Sequence, residues 1–339
     1  MKKDKIRWGI LSVSRIAHRF AEAIKGMKDA ELIAIGSRTK DKAQAFAAKY
    51  SIPHAHNSYE SLAADPDVDA IYISTPHPMH KENSIICLNA GKAVLCEKPF
   101  TVNEAEASAV IDAARANGVF LMEAMWTRFL PGLAKVRELI ATGAIGEPRM
   151  LSADFGFRAT FDPTSRLFDP HLGGGSLLDV GVYCVSLASM IFGRPARVAG
   201  LATLGTTGVD EQAAWVLGYE KGELALLSSA VRTSTGHEAW INGTNGAIKL
   251  HAPWYAPARL SIITPDRKEQ IIETPIEGNG FEYEAAEVGA CIRAGQLESA
   301  ILPLEETRSI MRTLDQIRAQ WGMKYPFENP DTMPLTADY

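Results

Sequence analysis

The sequence predicts an α/β protein in which an N-terminal, doubly wound parallel sheet is followed by an α+β region. The second region carries a large, mostly antiparallel, open-faced sheet. Over the first 122 residues, short apolar runs alternate with amphipathic helical patterns, which is typical of βαβ units. Beyond them, strand-like runs follow one another through tight turns with few helices between. We therefore place one domain at residues 1–122 and a second at residues 123–339.

The apolar runs of the first domain are rich in Ile, Val and Leu, as expected for strands buried on both faces of a parallel sheet. Between them, apolar residues recur three or four positions apart, which predicts helices. The predicted strands are Ile6–Leu11, Leu32–Gly36, Ala70–Thr75, Ala93–Cys96 and Val119–Met122.

The second domain is predicted to contain seven strands, joined in part by the turn residues at 220–222 and 243–246. A closing helix is expected at 304–321 and a loosely held tail at 326–339. The predicted strands are Met150–Phe157, Val198–Leu204, Ala213–Tyr219, Leu224–Val231, Glu238–Asn242, Ala247–His251 and Leu260–Ile263.

Composition excludes several classes of partner. A formal charge of −5 leaves no basic footprint for nucleic acid, and we expect that no apolar run reaches the length of a membrane span. The N-terminus runs into a strand without the pattern of a signal peptide. The cysteines lie in apolar surroundings without CxxC spacing, so we expect reduced core residues of a cytoplasmic protein and no metal ligands. These cysteines are Cys87, Cys96, Cys184 and Cys291.

The first strand runs into a turn that opens a helix, where dinucleotide folds place a glycine-rich turn and the cofactor's pyrophosphate. In register with G-x-G-x-x-G/A, the three positions here are Ser12, Ser14 and Ala17, with Arg15 and Ile16 between the last two, where the helix starts. Serine keeps the small volume that the turn needs but tolerates positive φ poorly. We therefore expect cofactor binding at this turn, in a backbone form that differs from the glycine one.

The end of the second strand indicates which dinucleotide binds. About 20 residues past the turn, NAD sites present an acidic residue to the ribose 2′-hydroxyl. This chain has Ser37 and Arg38 instead, which can donate to and pair with a 2′-phosphate. We predict NADP rather than NAD. The third strand ends near Thr75, His77 and His80, a loop that we expect to border the nicotinamide ribose rather than a metal, because two histidines alone make poor zinc geometry.

The fourth strand stops at Glu97-Lys98-Pro99, at the carboxyl edge where open α/β sheets bind ligands. Further on, three glycines lead into a helix on which Asp179 and Tyr183 stand four apart and share a face. Two interpretations fit each of these patterns when it is taken alone. Lys98 is either a solvated lysine or a proton-transfer group, and Asp179 and Tyr183 are either packed helix side chains or part of that group.

Together these segments resemble the Gfo/Idh/MocA family of NAD(P)-dependent oxidoreductases over nearly the whole chain, and within it the dihydrodiol dehydrogenase and NADP-dependent aldose dehydrogenase branch. The most specific motifs are Glu97-Lys98-Pro99 and 173–183 (GGGSLLDVGVY), with 123–129 (EAMWTRF) and 77–81 (HPMHK) narrowing the match.

The resemblance implies a catalytic role for Lys98, a cis peptide bond before Pro99, and roles in catalysis for Tyr183 and Asp179. The family more often has histidine where this chain has Tyr183. A tyrosine with a pKa near ~10 needs a neighbouring cation to act at neutral pH, and Lys98 is the expected one. The resemblance also places Glu97, Trp126 and Arg128 at the cofactor.

The substrate pocket is predicted to combine the catalytic groups with Arg166, which lies in an irregular stretch before the triple glycine, and with aromatic side chains. For Phe155 and Phe281, packing in the core is an equally good interpretation. The aromatic residues of the predicted pocket are Trp126, Phe155, Trp254 and Phe281.

These patterns predict an NADP-dependent enzyme that transfers a hydride to or from a secondary alcohol or hemiacetal carbon of a sugar, polyol or cyclic diol. The alternatives are an oxidoreductase that retains NADP and recycles it between two sugars, and a non-catalytic NADP-sensing protein. A lysine Schiff-base enzyme would not need Ser37 and Arg38. An uncovered apolar face on the second sheet would bring two chains together as a homodimer.

Overall fold

The computed structural model describes residues 4–328 and divides them into two compact units. The first unit comprises the residues up to Val136, with Ala256–Ala258 and Glu273–Met311. The second comprises Arg137–Tyr255, Arg259–Ile272 and the residues from Arg312 onward. The domain boundary at 122/123 stays a prediction.

The first unit is built on a six-stranded parallel sheet in the order β3-β2-β1-β4-β5-β6. The strand order reverses at β1, as in doubly wound nucleotide-binding sheets. The strands are β1 Ile6–Leu11, β2 Ala30–Gly36, β3 His54–His56, β4 Ala70–Ile73, β5 Ala93–Glu97 and β6 Leu121–Ala124.

Helices connect these strands, and their ends follow the expected capping chemistry. Ser14, Ser58 and Asn103 cap three helices through their side-chain oxygens, and Gly118 ends one with positive φ. The helices up to residue 141 are α1 Arg15–Gly26, α2 Lys40–Tyr50, α3 Tyr59–Ala63, α4 His80–Asn89, α5 Glu104–Asn117 and α6 Pro131–Ala141.

The second unit is built on an eight-stranded sheet in the order β14-β13-β12-β11-β7-β10-β9-β8, in which β7 and β10 pair parallel. The other described pairings are antiparallel. The predicted α/β fold class is confirmed. The strands are β7 Pro148–Gly156, β8 Arg197–Leu204, β9 Asp210–Gly218, β10 Leu224–Ala230, β11 Ala239–Gly243, β12 Gly246–Leu250, β13 Arg259–Ile263 and β14 Glu269–Glu273.

One face of this sheet packs against α7, and the other carries exposed apolar side chains. The remaining helices are α7 Val182–Phe192, α8 Phe281–Ala294 and α9 Leu304–Ala319. The predicted closing helix therefore ends two residues earlier than expected. Pro326–Glu328 form a short 3-10 turn rather than a loose tail, and the rest of the predicted tail lies outside the described residues.

The prediction that no apolar run has the length of a membrane span was wrong. By length and composition, the segment Pro170–Phe192 is long and apolar enough to cross a membrane, but 78% of its most apolar 18-residue window is buried inside the protein. An added Cβ on Gly181 would lie 3.0 Å from the Trp215 side chain, so glycine lets this segment pack closely within the second unit. We interpret it as a core helix.

Candidate active site

The turn between β1 and α1 keeps a glycine-like backbone without glycine. Ser12 has φ +86°, so the expectation of a different turn was wrong at this residue. Two hydrogen bonds hold the peptide units around it: the Ser12 N–H donates to the Gly36 carbonyl at 2.9 Å, and the Ser74 hydroxyl donates to the Ser12 carbonyl at 3.2 Å. Neighbouring strands therefore impose a conformation that serine alone disfavours.

Ser14 has a different task in the same turn. Its backbone is extended, with φ −133° and ψ 169°, and its hydroxyl accepts the Ala17 N–H at 3.1 Å as the N-cap of α1. No glycine is needed in this conformation. Small side chains in front of a 12-residue helix, with Arg15 and Ile16 in its first turn, fit a pyrophosphate at the helix N-terminus.

The carboxyl end of β2 carries the two residues predicted to select the dinucleotide. Ser37 is buried, and its hydroxyl accepts the Thr39 N–H at 3.2 Å. Arg38 is exposed, and within residues 4–328 its side chain makes no hydrogen bond or ion pair. An added Cβ on Gly36 would lie 2.9 Å from the Leu62 Cβ, so glycine lets α3 pack here. A serine and an available guanidinium fit a 2′-phosphate.

His80 joins the loops that follow β4 and β5. It is fully buried, with Nε2 2.9 Å from the Thr75 carbonyl and Nδ1 2.9 Å from the Pro99 carbonyl. Burial lowers the pKa of this histidine despite the two carbonyl partners, and the charge of Lys98 lowers it further. His80 therefore lies between the Thr75 and Pro99 backbones and holds the two loops together. His77 is also buried, with its ring centroid 5.9 Å from that of His80.

Lys98 follows β5 directly, and the Lys98–Pro99 peptide bond is cis. Its backbone N–H donates to the Glu97 carboxylate at 3.1 Å. The Tyr72 hydroxyl donates to the other oxygen of Glu97, so that carboxylate is fixed from two sides. Lys98 is half-buried at the carboxyl edge of the sheet, where the sequence predicts it.

The first unit also holds Trp126 and Phe281, which were predicted to line the pocket. Their rings stack with centroids 5.3 Å apart, and Phe281 is fully buried, so core packing accounts for its position. Arg128 is buried too, with hydrogen bonds to the Glu306 carboxylate at 2.9 Å and the Ile301 carbonyl at 3.0 Å. These contacts hold Arg128 in place, and its role at the cofactor stays a prediction.

Asp179 and Tyr183 belong to the second unit. Asp179 lies in a π-helical turn, Leu177–Gly181, that leads directly into α7, where Tyr183 is the second residue. Both side chains are buried. Asp179 accepts a hydrogen bond from Arg166 at 2.7 Å, which places the predicted arginine beside the predicted carboxylate. The exposed guanidinium of Arg166 screens the charge of Asp179 on its solvent side.

An aromatic cluster adjoins Tyr183. Phe155 lies 5.3 Å from Tyr183 between ring centroids and stacks on Tyr255 at 4.0 Å. Trp254 is fully buried, and its indole N–H donates to the Asp154 carbonyl at 2.6 Å. The structure thus brings Phe155 together with Tyr183. Tyr255, which the sequence analysis missed, joins them one residue after Trp254.

Two buried carboxyl groups of the first unit were also missed. Glu284 of α8 is fully buried, and neither of its oxygens has a hydrogen-bond partner in the described chain. Burial raises its pKa well above the ordinary value, and the charge of Glu97 raises it further, so Glu284 is a neutral acid near the lysine motif. Glu123 is the other. No sequence signal separates such residues from solvated glutamates on a helix or strand.

The reversing parallel sheet, the phosphate-type turn and the lysine at the carboxyl edge define a dinucleotide-binding oxidoreductase. Family comparison agrees. Residues 6–125 match the "oxidoreductase family, NAD-binding Rossmann fold" model of the Gfo/Idh/MocA proteins, and residues 133–249 match the C-terminal domain model of the same family. The chain belongs to the Gfo/Idh/MocA family of oxidoreductases.

Relatives of known name extend over almost the whole chain. Mouse trans-1,2-dihydrobenzene-1,2-diol dehydrogenase is 38% identical over 333 residues, covering 95% of this chain and 98% of the mouse protein. The human protein of the same name is 36% identical over 330 residues, with 95% and 98% covered. The predicted family resemblance is confirmed.

Solved structures share the fold. The 3-ketoreductase KijD10 from Actinomadura kijaniata, solved with NADP and TDP-benzene, is 25% identical and has a TM-score of 0.82. The match covers 93% of this chain and 97% of KijD10. An aldose-aldose oxidoreductase from Caulobacter crescentus, solved with glycerol, has a TM-score of 0.85 at 24% identity, with the same 93% and 97% covered.

Proposed function

We propose that the chain is an NADP-dependent dehydrogenase or reductase that acts on a secondary alcohol or hemiacetal carbon of a cyclic diol, polyol or sugar. The observation that carries the cofactor assignment is the carboxyl end of β2, where Ser37 and the available guanidinium of Arg38 replace the acidic residue of NAD sites. The NADP bound to KijD10 supports the same cofactor, and the names of the diol dehydrogenase relatives support a diol as substrate.

When bound, NADP accepts or supplies a hydride at the nicotinamide ring. The protein must then remove or supply the proton of the substrate's alcohol group. We assign the transfer of this proton to the Tyr183 hydroxyl. We assign to Lys98 the positive charge that favours the phenolate form of Tyr183. Asp179, held by Arg166 at 2.7 Å, orients the substrate hydroxyl. Ser12, Ser14, Arg15, Ile16, Thr75 and His77 remain the proposed cofactor contacts, with His80 positioning two of their loops.

We also propose that two chains pair through the eight-stranded sheet, in a reducing, cytoplasmic setting. Five apolar side chains are exposed on one face of adjacent strands, and such patches mark partner surfaces. All four cysteines are free and buried, as expected where thiols stay reduced. The exposed residues are Met150, Leu201, Val216, Leu224 and Leu226.

The cofactor assignment is tested by titrating NADPH and NADH into the protein and following nucleotide fluorescence. Arg38→Ala removes a charge-assisted contact worth about 1.5–3 kcal/mol, so NADPH should bind about 10- to 150-fold more weakly while NADH changes little. Arg194→Ala, an exposed arginine of the second unit, is the matched control. Equal binding of both nucleotides in the wild type would refute the 2′-phosphate assignment.

The chemical assignment is tested on diol and sugar substrates. Tyr183→Phe should lower kcat by about 10²- to 10⁴-fold with NADPH affinity unchanged, because only the proton-transfer group is lost. Full activity in that variant would contradict the assignment. NADP that stays bound through purification and is reduced by one sugar and oxidised by another would instead identify the cofactor-recycling enzyme.

A further inference from the structure

Two histidines stand on the edge strand of the six-stranded sheet. His54 and His56 are the first and last residues of β3, and they pair with Ala34 and Gly36 of β2. Residues two apart on a strand point to the same face, so both imidazoles emerge on one side of the sheet. On that side lies Asp65, in the loop that follows α3.

The three side chains converge on one point. His54 Nδ1 lies 2.7 Å and His56 Nε2 lies 2.8 Å from the same oxygen, Oδ2 of Asp65, and all three atoms are within 4.8 Å of one another. The other carboxylate oxygen accepts the Asp67 N–H at 2.9 Å, which fixes the orientation of the group. One carboxylate oxygen facing two imidazole nitrogens is a donor set that suits Zn²⁺.

The accessibility of the group also suits a cation. The Asp65 side chain is 4% exposed, while those of His54 and His56 are 36% and 22% exposed, so the group is open on the histidine side. The ammonium of Lys92 donates to the backbone carbonyls of Asp65 and Val68.

We propose that His54, His56 and Asp65 form a Zn²⁺ site in which the ion replaces the two imidazole–carboxylate hydrogen bonds and a water completes the tetrahedron. Each histidine would bind the ion as a neutral ring, through the lone pair of the nitrogen that faces Asp65, with its single proton on the other ring nitrogen. Zn–ligand bonds of about 2.0–2.1 Å require donor atoms about 3.3 Å apart. The 2.7 and 2.8 Å separations must therefore open by about half an ångström, which the partly exposed histidines allow.

The ion would fasten the edge strand to the loop before β4. The Ser37 N–H donates to the His56 carbonyl at 3.2 Å, so the strand that carries the ligands also supports the end of β2. A metal that binds the folded chain and not the unfolded one raises stability by mass action. The proposal rests on the ligand geometry and is independent of the proposed catalytic function.

The test is calorimetric titration of ZnCl₂ into untagged, chelator-treated protein at neutral pH, with thermal unfolding as a second readout. One ion per chain and a raised midpoint of unfolding are expected. His54→Ala, His56→Ala and Asp65→Asn should each weaken binding by at least about 10-fold, because even changes around metal ligands cost 10- to 100-fold. His171→Ala, which changes an exposed histidine of the second unit, should bind as the wild type does.

Circular dichroism shows whether each variant folds. If Asp65→Asn unfolds, the two histidine variants decide, because their side chains are partly exposed. Absence of saturable binding in the wild type, or binding that survives both histidine substitutions, would overturn the proposal and leave a purely structural histidine–aspartate cluster. Co²⁺ in place of Zn²⁺ should give the visible absorption of a tetrahedral site that His54→Ala abolishes.

Discussion

Ser12 shows that a residue's neighbours can impose a backbone conformation that its own chemistry disfavours. The residue has φ +86°, held by hydrogen bonds of its N–H and C=O to Gly36 and Ser74. Holding a non-glycine residue in this region costs of order 1–3 kcal/mol. The sequence alone showed a serine at a glycine position. It could not show whether the turn would change its backbone conformation or the serine would adopt positive φ.

Ser12→Gly should therefore raise the free energy of unfolding by about 0.5–1 kcal/mol, because the relief of strain exceeds the extra entropy of glycine in the unfolded chain. Urea denaturation measures the change. Ser14→Ala is the matched comparison: its extended backbone holds no such strain, and the lost N-cap should lower stability by about 1 kcal/mol. A Ser12→Gly protein less stable than the wild type would contradict the strain argument.

Glu123 makes a pH-dependent contribution. Burial raises its pKa to about 7, although hydrogen bonds from the Phe100 N–H and the Thr307 hydroxyl oppose the rise. The folded chain thus holds a proton that the unfolded chain, with a pKa of 4.5, releases. The contribution of Glu123 to the free energy of unfolding is therefore fully present below pH 4.5 and is lost as the pH rises to about 7.

Relative to Glu123→Gln, which cannot titrate, the wild type should lose up to about 3 kcal/mol of stability between these pH values. Denaturant unfolding of both proteins at several pH values measures the difference. A difference that stays constant from pH 4.5 to 7 would mean that Glu123 ionises in the folded protein as it does in the unfolded one.

At the scale of elements, the sequence was informative where a strand is continuous and apolar. The predicted Ile6–Leu11 coincides with β1, and the other four predicted strands of the first domain overlap β2, β4, β5 and β6. The edge strands β3 and β14 were not predicted. An edge strand pairs with a neighbour on one side only, and these two carry polar residues. Neither the spacing of apolar residues nor the composition therefore distinguishes them from loops.

The end of α9 is an element held by one charged side chain. Arg318 is 6% exposed, forms ion pairs with Glu328 and Asp315, and lies 4.9 Å above the Tyr325 ring. The Tyr325 hydroxyl in turn donates to the Gly174 carbonyl at 2.7 Å. These contacts order Pro326–Glu328, the part of the predicted tail that the structure describes.

Arg318→Ala should lower the free energy of unfolding by about 3 kcal/mol, because it leaves two carboxylates without their buried partner. Arg308→Ala on the same helix removes a more exposed pair with Glu305 and should cost less than about 1 kcal/mol. Equal effects of the two substitutions, measured by urea denaturation, would mean that burial does not decide the strength of the Arg318 contacts.

For the molecule as a whole, the sequence predicted which parts of the chain carry chemistry better than how each side chain is held. The strand–helix alternation located Ser12, Arg38 and Lys98 at one edge of one sheet, because strand ends and short loops are local features. The partners of Asp179 and Phe155 come from distant segments: Arg166 lies 13 positions away, and Tyr255 lies far along the chain. Contacts of that kind depend on packing that no local pattern encodes.

The exposed apolar face of the eight-stranded sheet bears on how whole chains assemble. Leu226 of β10 lies opposite Val216 of β9, and both are exposed on one face of the eight-stranded sheet together with Leu201, which is 82% exposed. Sheet faces that carry aligned apolar side chains are stable in water when a second surface covers them. A second copy of this chain offers the same patch, and a two-fold axis would match it with itself.

Leu226→Glu and Leu201→Glu should therefore convert a dimer into a monomer in light scattering, with circular dichroism unchanged because neither side chain is part of the core. Leu297→Glu alters a leucine of the first unit that is 48% exposed, similar to the 43% of Leu226, and should leave the dimer intact. A wild-type monomer would refute pairing outright. A dimer that survives both substitutions would place the interface on another surface, and the apolar face would then need a different partner to cover it.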